Sequence, residues 1–141
     1  MADPRSSVGV TDDLGRLVLR LSIGVLMLMH GIAKLGGDLG WISGLLTKSG
    51  LPAELAYGVY VGEILAPVLL IAGVWTRAAA VVIVINMLFA LGLVHMHELA
   101  AVTKTGAWAL ETQGLFLFGA LAVALIGAGR YSLGGQTGRF N

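Results

Sequence analysis

Glu63 has more chemistry to offer than any other residue in this chain. It lies inside the apolar run 56–75, AYGVYVGEILAPVLLIAGVW, which is about the length of a bilayer crossing. A carboxylate at that depth is costly unless it is paired, wetted or neutralised, so a functional role is the default expectation. Pro67 stands four residues further on. Proline has no N–H, so the Glu63 carbonyl loses its helical donor. A carboxylate and a free carbonyl therefore share one point in the run. A packing kink beside a neutral, buried Glu accounts for the same residues.

Other polar groups fall at comparable depths: His30, the pair His95 and His97, and the pair Glu111 and Gln113. Three chemistries fit. A quinone is the first. His30 would donate to one carbonyl and Glu63 would take the quinol proton, which makes these two the best catalytic candidates. Lys34, Tyr60, His97, Trp108 and Glu111 would complete the ligand-binding set, with Tyr57, Tyr60, Phe89 and Trp108 as aromatic walls. The second is a metal held by His30, Glu63, His97 and Glu111, since imidazole and carboxylate suit zinc, copper or iron. No H-E-x-x-H spacing supports it. The third is a hydrogen-bonded cluster that only fixes helix register.

Composition sets the frame. Of 141 residues, 57% are hydrophobic and 12% charged, and the mean hydropathy is +0.87. Soluble domains carry about 25% charged residues, so this is an integral membrane protein. A net charge of +1, with the basic residues scattered, excludes nucleic-acid binding. Without cysteine there is no thiol redox chemistry and no thiolate metal site. Any redox role needs a bound cofactor, a quinone or a partner.

Four elements must position these groups. Residues 1–13 read as a polar, frayed N-terminus, with Asp12 and Asp13 suited to start a helix. The first span is expected over 14–34; its apolar run is too long for a cleaved signal peptide. Arg16, Arg20, Ile23, Met27, His30 and Lys34 form a heptad seam, and that face should point inward. Arg16 and Lys34 lie near the interfaces, where they can snorkel. Residues 35–55 are too short to span and read as an interfacial helical segment, with Trp41 at headgroup level. The second span, 56–75, carries a small-residue ridge at Gly58, Gly62 and Ala66. Trp75-Thr76-Arg77 is a tight turn into the third span, 78–94, so these two spans form an antiparallel hairpin. Asn86, mid-span, should bond across to a neighbouring helix. With Arg20 and Arg77 it makes a structural polar set. The fourth span is expected over 110–128, leaving 131–141 as a Gly-rich tail without a packing signal.

The expected fold is all-α: an antiparallel four-helix transmembrane bundle over 14–130, with an interfacial helical segment between the first two spans. Arg5, Arg16, Arg20, Arg77, Arg130 and Arg139 fall on one side; Lys34, Lys48 and Lys104 fall on the other. That bias puts both termini in the cytoplasm of a bacterial inner membrane. Glu63 should then lie within hydrogen-bond reach of His30 or Glu111, in an outward-opening cup.

Three blocks carry a family resemblance: RLSIGVLMLMHGIAKL at 20–35, GEILAPVLLIAGVWTR at 62–77 and ETQGLFLFGALAVALIGAGRYSL at 111–133. The Gly-Glu opening with Gly-x-x-Thr-Arg at the close of the second block, and Gly-x-Gly-Arg-Tyr-Ser-Leu in the third, are the specific parts. The chain resembles the DoxX family of small bacterial and archaeal membrane proteins. The resemblance implies a four-helix membrane protein linked to quinone-dependent oxidoreductase complexes or to assemblies with soluble redox partners. Relatives often carry an acid after Ser-Leu; here it is Gly134. The expected reading is a membrane subunit of a redox system holding a quinone or similar apolar ligand. An assembly subunit without a ligand is the alternative, and a metal-binding membrane protein the second. The expected partners are the lipid bilayer and soluble or membrane redox proteins, with a homo-oligomer left open.

Overall fold

A computed structural model describes residues 4–138 and 140–141; the side chains of residues 4–8 lie outside the description. Two of the basic residues counted above, Arg139 and the Arg5 side chain, therefore fall outside it. The described residues form five helices: α1 (Pro4–Leu35), α2 (Gly40–Lys48), α3 (Ala53–Ala72), α4 (Thr76–Val94) and α5 (Glu111–Ile126). No strand occurs among them, only an isolated antiparallel bridge between Val102 and Trp108.

α1 is already helical at Pro4 and runs straight through Asp12 and Asp13 instead of starting there. Nothing between Pro4, where the description begins, and Leu35 breaks the helix. Tertiary contact supports the extension. Asp13 is buried, and its Oδ1 accepts the Arg130 N–H at 3.0 Å and Gln136 Nε2 at 3.2 Å.

α3 is a composite. It opens as a 3₁₀ turn at Ala53–Tyr57, makes one α turn, widens into a π turn at Val61–Leu65 and returns to α-helix at Ala66–Ala72. The π turn sits where Pro67 removes the donor for the Glu63 carbonyl, and π-bulges commonly mark functional positions. α3 ends at Gly73 in the left-handed conformation, φ 72°. The Val74 N–H reaches back to the Leu69 carbonyl and the Gly73 N–H to that of Leu70, a Schellman closure. Trp75, at φ 47°, completes the reversal into α4.

Neighbouring long helices run antiparallel. Gly31 of α1 lies against Glu63 of α3, and Gly24 against Pro67 and Ile71. Arg77, at the start of α4, bonds the Ala124 and Leu125 carbonyls near the end of α5. The shared core is made by Ile23 and Met27 of α1, Ala66 and Leu70 of α3, Ala80, Ile83 and Met87 of α4, and Phe116, Ala120 and Val123 of α5. Outward faces stay apolar: Val18, Val68, Ile85, Phe118 and Leu125 are all exposed. Helices apolar on every side suit a lipid surround. Three helical stretches, Gly9–Leu35, Ala53–Ala72 and Thr76–Val94, are long and apolar enough to cross a membrane; α5 is apolar but shorter, at 16 residues.

The segment after α5 packs, although its sequence carries no packing signal. Leu133 and Gly134 donate to the carbonyls of Ala72 and Gly73, and Arg77 N–H donates to that of Phe140. Asn141 Oδ1 accepts from Thr76 N at 3.0 Å and Thr76 Oγ1 at 2.8 Å. These contacts go through backbone groups and one amide, which leave no periodic mark in a sequence.

Candidate functional site

Glu63 is 4% exposed, deep in α3 and facing the helix interior. Its partners are not His30 or Glu111. Oε1 accepts from Lys34 Nζ at 2.6 Å and from Asn86 Nδ2 at 3.3 Å. Oε2 is buried with no partner. Three helices thus meet at one carboxylate: α1 supplies the cation, α4 the amide and α3 the acid.

Two glycines allow the approach. A side chain at Gly31 would run into the Glu63 carbonyl, so α1 passes that carbonyl at backbone distance. At Gly62 an added Cβ would meet the Asn86 side chain within 2.5 Å. Of the expected small-residue ridge, Gly62 makes the close contact, whereas Gly58 has nothing within 4 Å. Gly58 instead borders an open space.

That space is a cavity of about 370 Å³ lined by Lys34, Glu63 and Asn86 on the polar side and by apolar residues elsewhere. α2 closes it with Trp41, Ile42, Leu45 and Leu46; α4 adds Ile85 and Phe89. α2 starts with its Gly40 N–H on Asp38 Oδ1 at 2.7 Å and stops at Gly50, φ 74°. The segment read as an interfacial helix is therefore a helix, and it also forms a wall. Ligand pockets of a few hundred Å³ with an apolar lining and few polar groups are the common type.

The remaining site candidates lie elsewhere. His30 is exposed on α1, with Nδ1 on its own helix at the Leu26 carbonyl and its ring edge-on to Phe116, centroids 5.2 Å apart. The inward seam of α1 holds for Arg20, Ile23 and Met27, is exposed at His30, and turns inward again at Lys34. Tyr60 stacks obliquely near Tyr57. His97 is exposed, 3.8 Å from Glu98. Trp108 donates Nε1–H to the Leu99 carbonyl, and Glu111 is exposed. His95 sits between Glu98, 2.6 Å from Nδ1, and Gln113, 3.4 Å from Nε2. None of these lines the cavity. Among the described residues no three His, Asp or Glu side chains gather as a metal site requires, so His30, Glu63, His97 and Glu111 do not converge.

Of the structural polar set, Asn86 joins the site. Arg77 caps carbonyls of α5, and Arg20 is buried at the opposite end. One signal could have placed Asn86 beside Glu63. In a hairpin turning at Val74, residues equally far from the turn share a depth. Glu63 stands eleven residues before Val74 and Asn86 twelve after it.

The DoxX family model matches residues 15–96, more than half of the chain and the part that contains Lys34, Glu63, Asn86 and the α2 wall. The third block of the resemblance, 111–133, lies beyond the matched stretch. No curated protein and no solved structure matches the chain. With apolar helices long enough to cross a bilayer and a family match over more than half its length, this chain belongs to the DoxX family of membrane proteins.

Proposed function

We propose that the cavity beside Glu63 holds an apolar ligand with a quinone-type head, and that the protein serves as a membrane subunit of a redox system. The observation that carries this reading is Glu63 itself, a carboxylate in the wall of a largely apolar cavity whose second oxygen, Oε2, is buried without a partner. A buried acceptor left unmade is costly, and a ligand hydroxyl would satisfy it. Lys34 Nζ and Asn86 Nδ2 are donors within the same cluster, suited to a ligand carbonyl. When bound, a quinone would supply the two-electron chemistry. This chain's part is to seat the ring between α2 and α4 and to take or give a proton at Glu63. Lys34 is 36% exposed, so it links the carboxylate to the outside.

The test is one variant with two readouts. Glu63→Gln keeps the acceptor for Lys34 and Asn86 but cannot exchange a proton. Native-membrane preparations of the wild type should yield a co-purifying quinone on extraction and mass analysis. The variant should stay folded, since Lys34 is 36% exposed and can turn to water when its partner is neutral, and lose the quinone. An empty wild type, or a variant that keeps the quinone, defeats the proposal and leaves the cluster as a packing device of an assembly subunit.

The finer topology belongs to the same reading. α5 completes a four-span bundle, and the end bearing Arg16, Arg20, Arg77 and Arg130 faces the cytoplasm of an inner membrane, supported by the clustering of those four at one end of the helices.

A further inference from the structure

The end of the molecule away from the cavity carries an unbalanced charge. Arg20 is 2% exposed within an apolar helix. Its Nη2 donates to the Tyr131 carbonyl at 2.6 Å, while Nε and Nη1 are buried without a partner. The guanidinium packs so closely on Gly73 that a side chain there would overlap it. Among the described residues Arg20 takes part in no ion pair. Asp13, the buried acid on the same helix, is otherwise engaged: it holds the Arg130 N–H and Gln136, and its Oδ2 is 3.8 Å from Arg130 Nε. Arg16 and Arg77 spend their donors on carbonyls at the end of α5. Nε and Nη1 are shielded, so what an anion in the neighbouring cleft would offset is the uncompensated charge of the buried guanidinium.

Arg20 lines a cleft of about 420 Å³, bordered by Arg130, Tyr131 and Ser132 and walled by Ile71, Ala72 and Leu133. We infer that this cleft binds a phosphate group, carried by a membrane amphiphile. A guanidinium presents a planar fork that matches phosphate oxygens, and Arg130 places a second one at the same cleft. The apolar wall favours an amphiphile over a free ion. Leu133 is 85% exposed beside Ile71, an apolar surface suited to an acyl chain, and Tyr131 is an aromatic of the kind found at headgroup level.

The experiment uses the full chain, delipidated in detergent and offered phosphatidylglycerol or phosphatidylcholine. Native mass spectrometry reads the bound lipid. Wild type should retain one phosphatidylglycerol in preference to phosphatidylcholine. Arg20→Gln should weaken that retention about fivefold, the effect of one basic side chain near a charged headgroup. Arg130 is largely exposed, so Arg130→Gln folds whatever Arg20 does for stability; it should weaken retention in the same direction. Lys104→Gln, in the connection before α5, should change nothing. A separate arm adds inorganic phosphate alone. A thermal shift that depends on Arg20, without lipid preference, keeps the site and assigns its source to solution. Equal retention of both lipids by wild type with no phosphate shift, or Arg130→Gln and Arg20→Gln both matching wild type, overturns the inference.

Discussion

One carboxylate oxygen, Glu63 Oε1, takes donors from two other helices, and Lys34 is the stronger of them at 2.6 Å. Removing one member of a buried pair leaves the other uncompensated, which costs more than the pair itself contributes. Lys34 is about one-third exposed, so solvent already screens part of the interaction. Lys34→Met should destabilise by about 2 kcal/mol. Adding Glu63→Gln should restore most of that, since the amide needs no counter-ion. Thermal unfolding of both variants in one detergent checks this; additive losses would mean the two residues do not act on each other. At this scale the acid was legible and its partners were not. An ionisable residue in an apolar run announces itself. Lys34 reads as an interfacial snorkel, and only the depth at which α1 crosses α3 brings it inward. That depth is set by Gly31, a residue with no chemistry of its own.

Among the elements, α3 shows most clearly what a proline does inside a span. Pro67 frees a carbonyl, the chain widens into a π turn, and the freed carbonyl lies against Gly31 rather than in lipid. Weak Cα–H···O contacts recur at helix–helix approaches of this kind. Gly31→Ala puts a methyl where that carbonyl stands and should force α1 away, costing about 2 kcal/mol as overpacking does. Gly58→Ala lies in the same family of small residues but meets nothing within 4 Å. It should be neutral or slightly stabilising, because alanine prefers helix over glycine. Equal effects in thermal unfolding would refute the close approach at position 31. The apolar spans were legible from hydropathy, and α2 from its spacing. The docked segment after α5 was not: Gly134, Phe140 and Asn141 bind through main chain and one amide, and a glycine-rich stretch with few apolar residues looks the same whether bound or free.

At the scale of the whole molecule, chemistry is divided between two ends. The cavity and its Lys34–Glu63–Asn86 cluster lie toward one end. Arg16, Arg20, Arg77, Arg130 and the docked segment lie at the other. Whether α5 crosses the membrane decides how those ends are placed. At 1.5 Å per residue its 16 residues span about 24 Å, short of the ~30 Å hydrocarbon core. Its contacts nevertheless require a return. α4 runs from Thr76 to Val94, and Arg77 at its start bonds both the end of α5 and the main chain of Phe140. The connection 95–109 must therefore lie at the far end of α4, while Arg16 and Arg77 bond the last carbonyls of α5 at the near end. Local bilayer thinning is the usual accommodation for a short span, at modest cost. The chain has no cysteine, so single cysteines report cleanly. Lys48→Cys and Thr105→Cys should react with an impermeant thiol reagent from one side of oriented vesicles, and Thr137→Cys from the other. All three positions are exposed. If Thr137→Cys reacts from the same side as Thr105→Cys, α5 does not cross, and the four-span arrangement fails. If Lys48→Cys and Thr105→Cys disagree, only one of α3 and α4 crosses, and the transmembrane hairpin fails. Opposite labelling of Thr105 and Thr137 with agreement of Lys48 and Thr105 is the outcome expected if the antiparallel bundle crosses the bilayer four times.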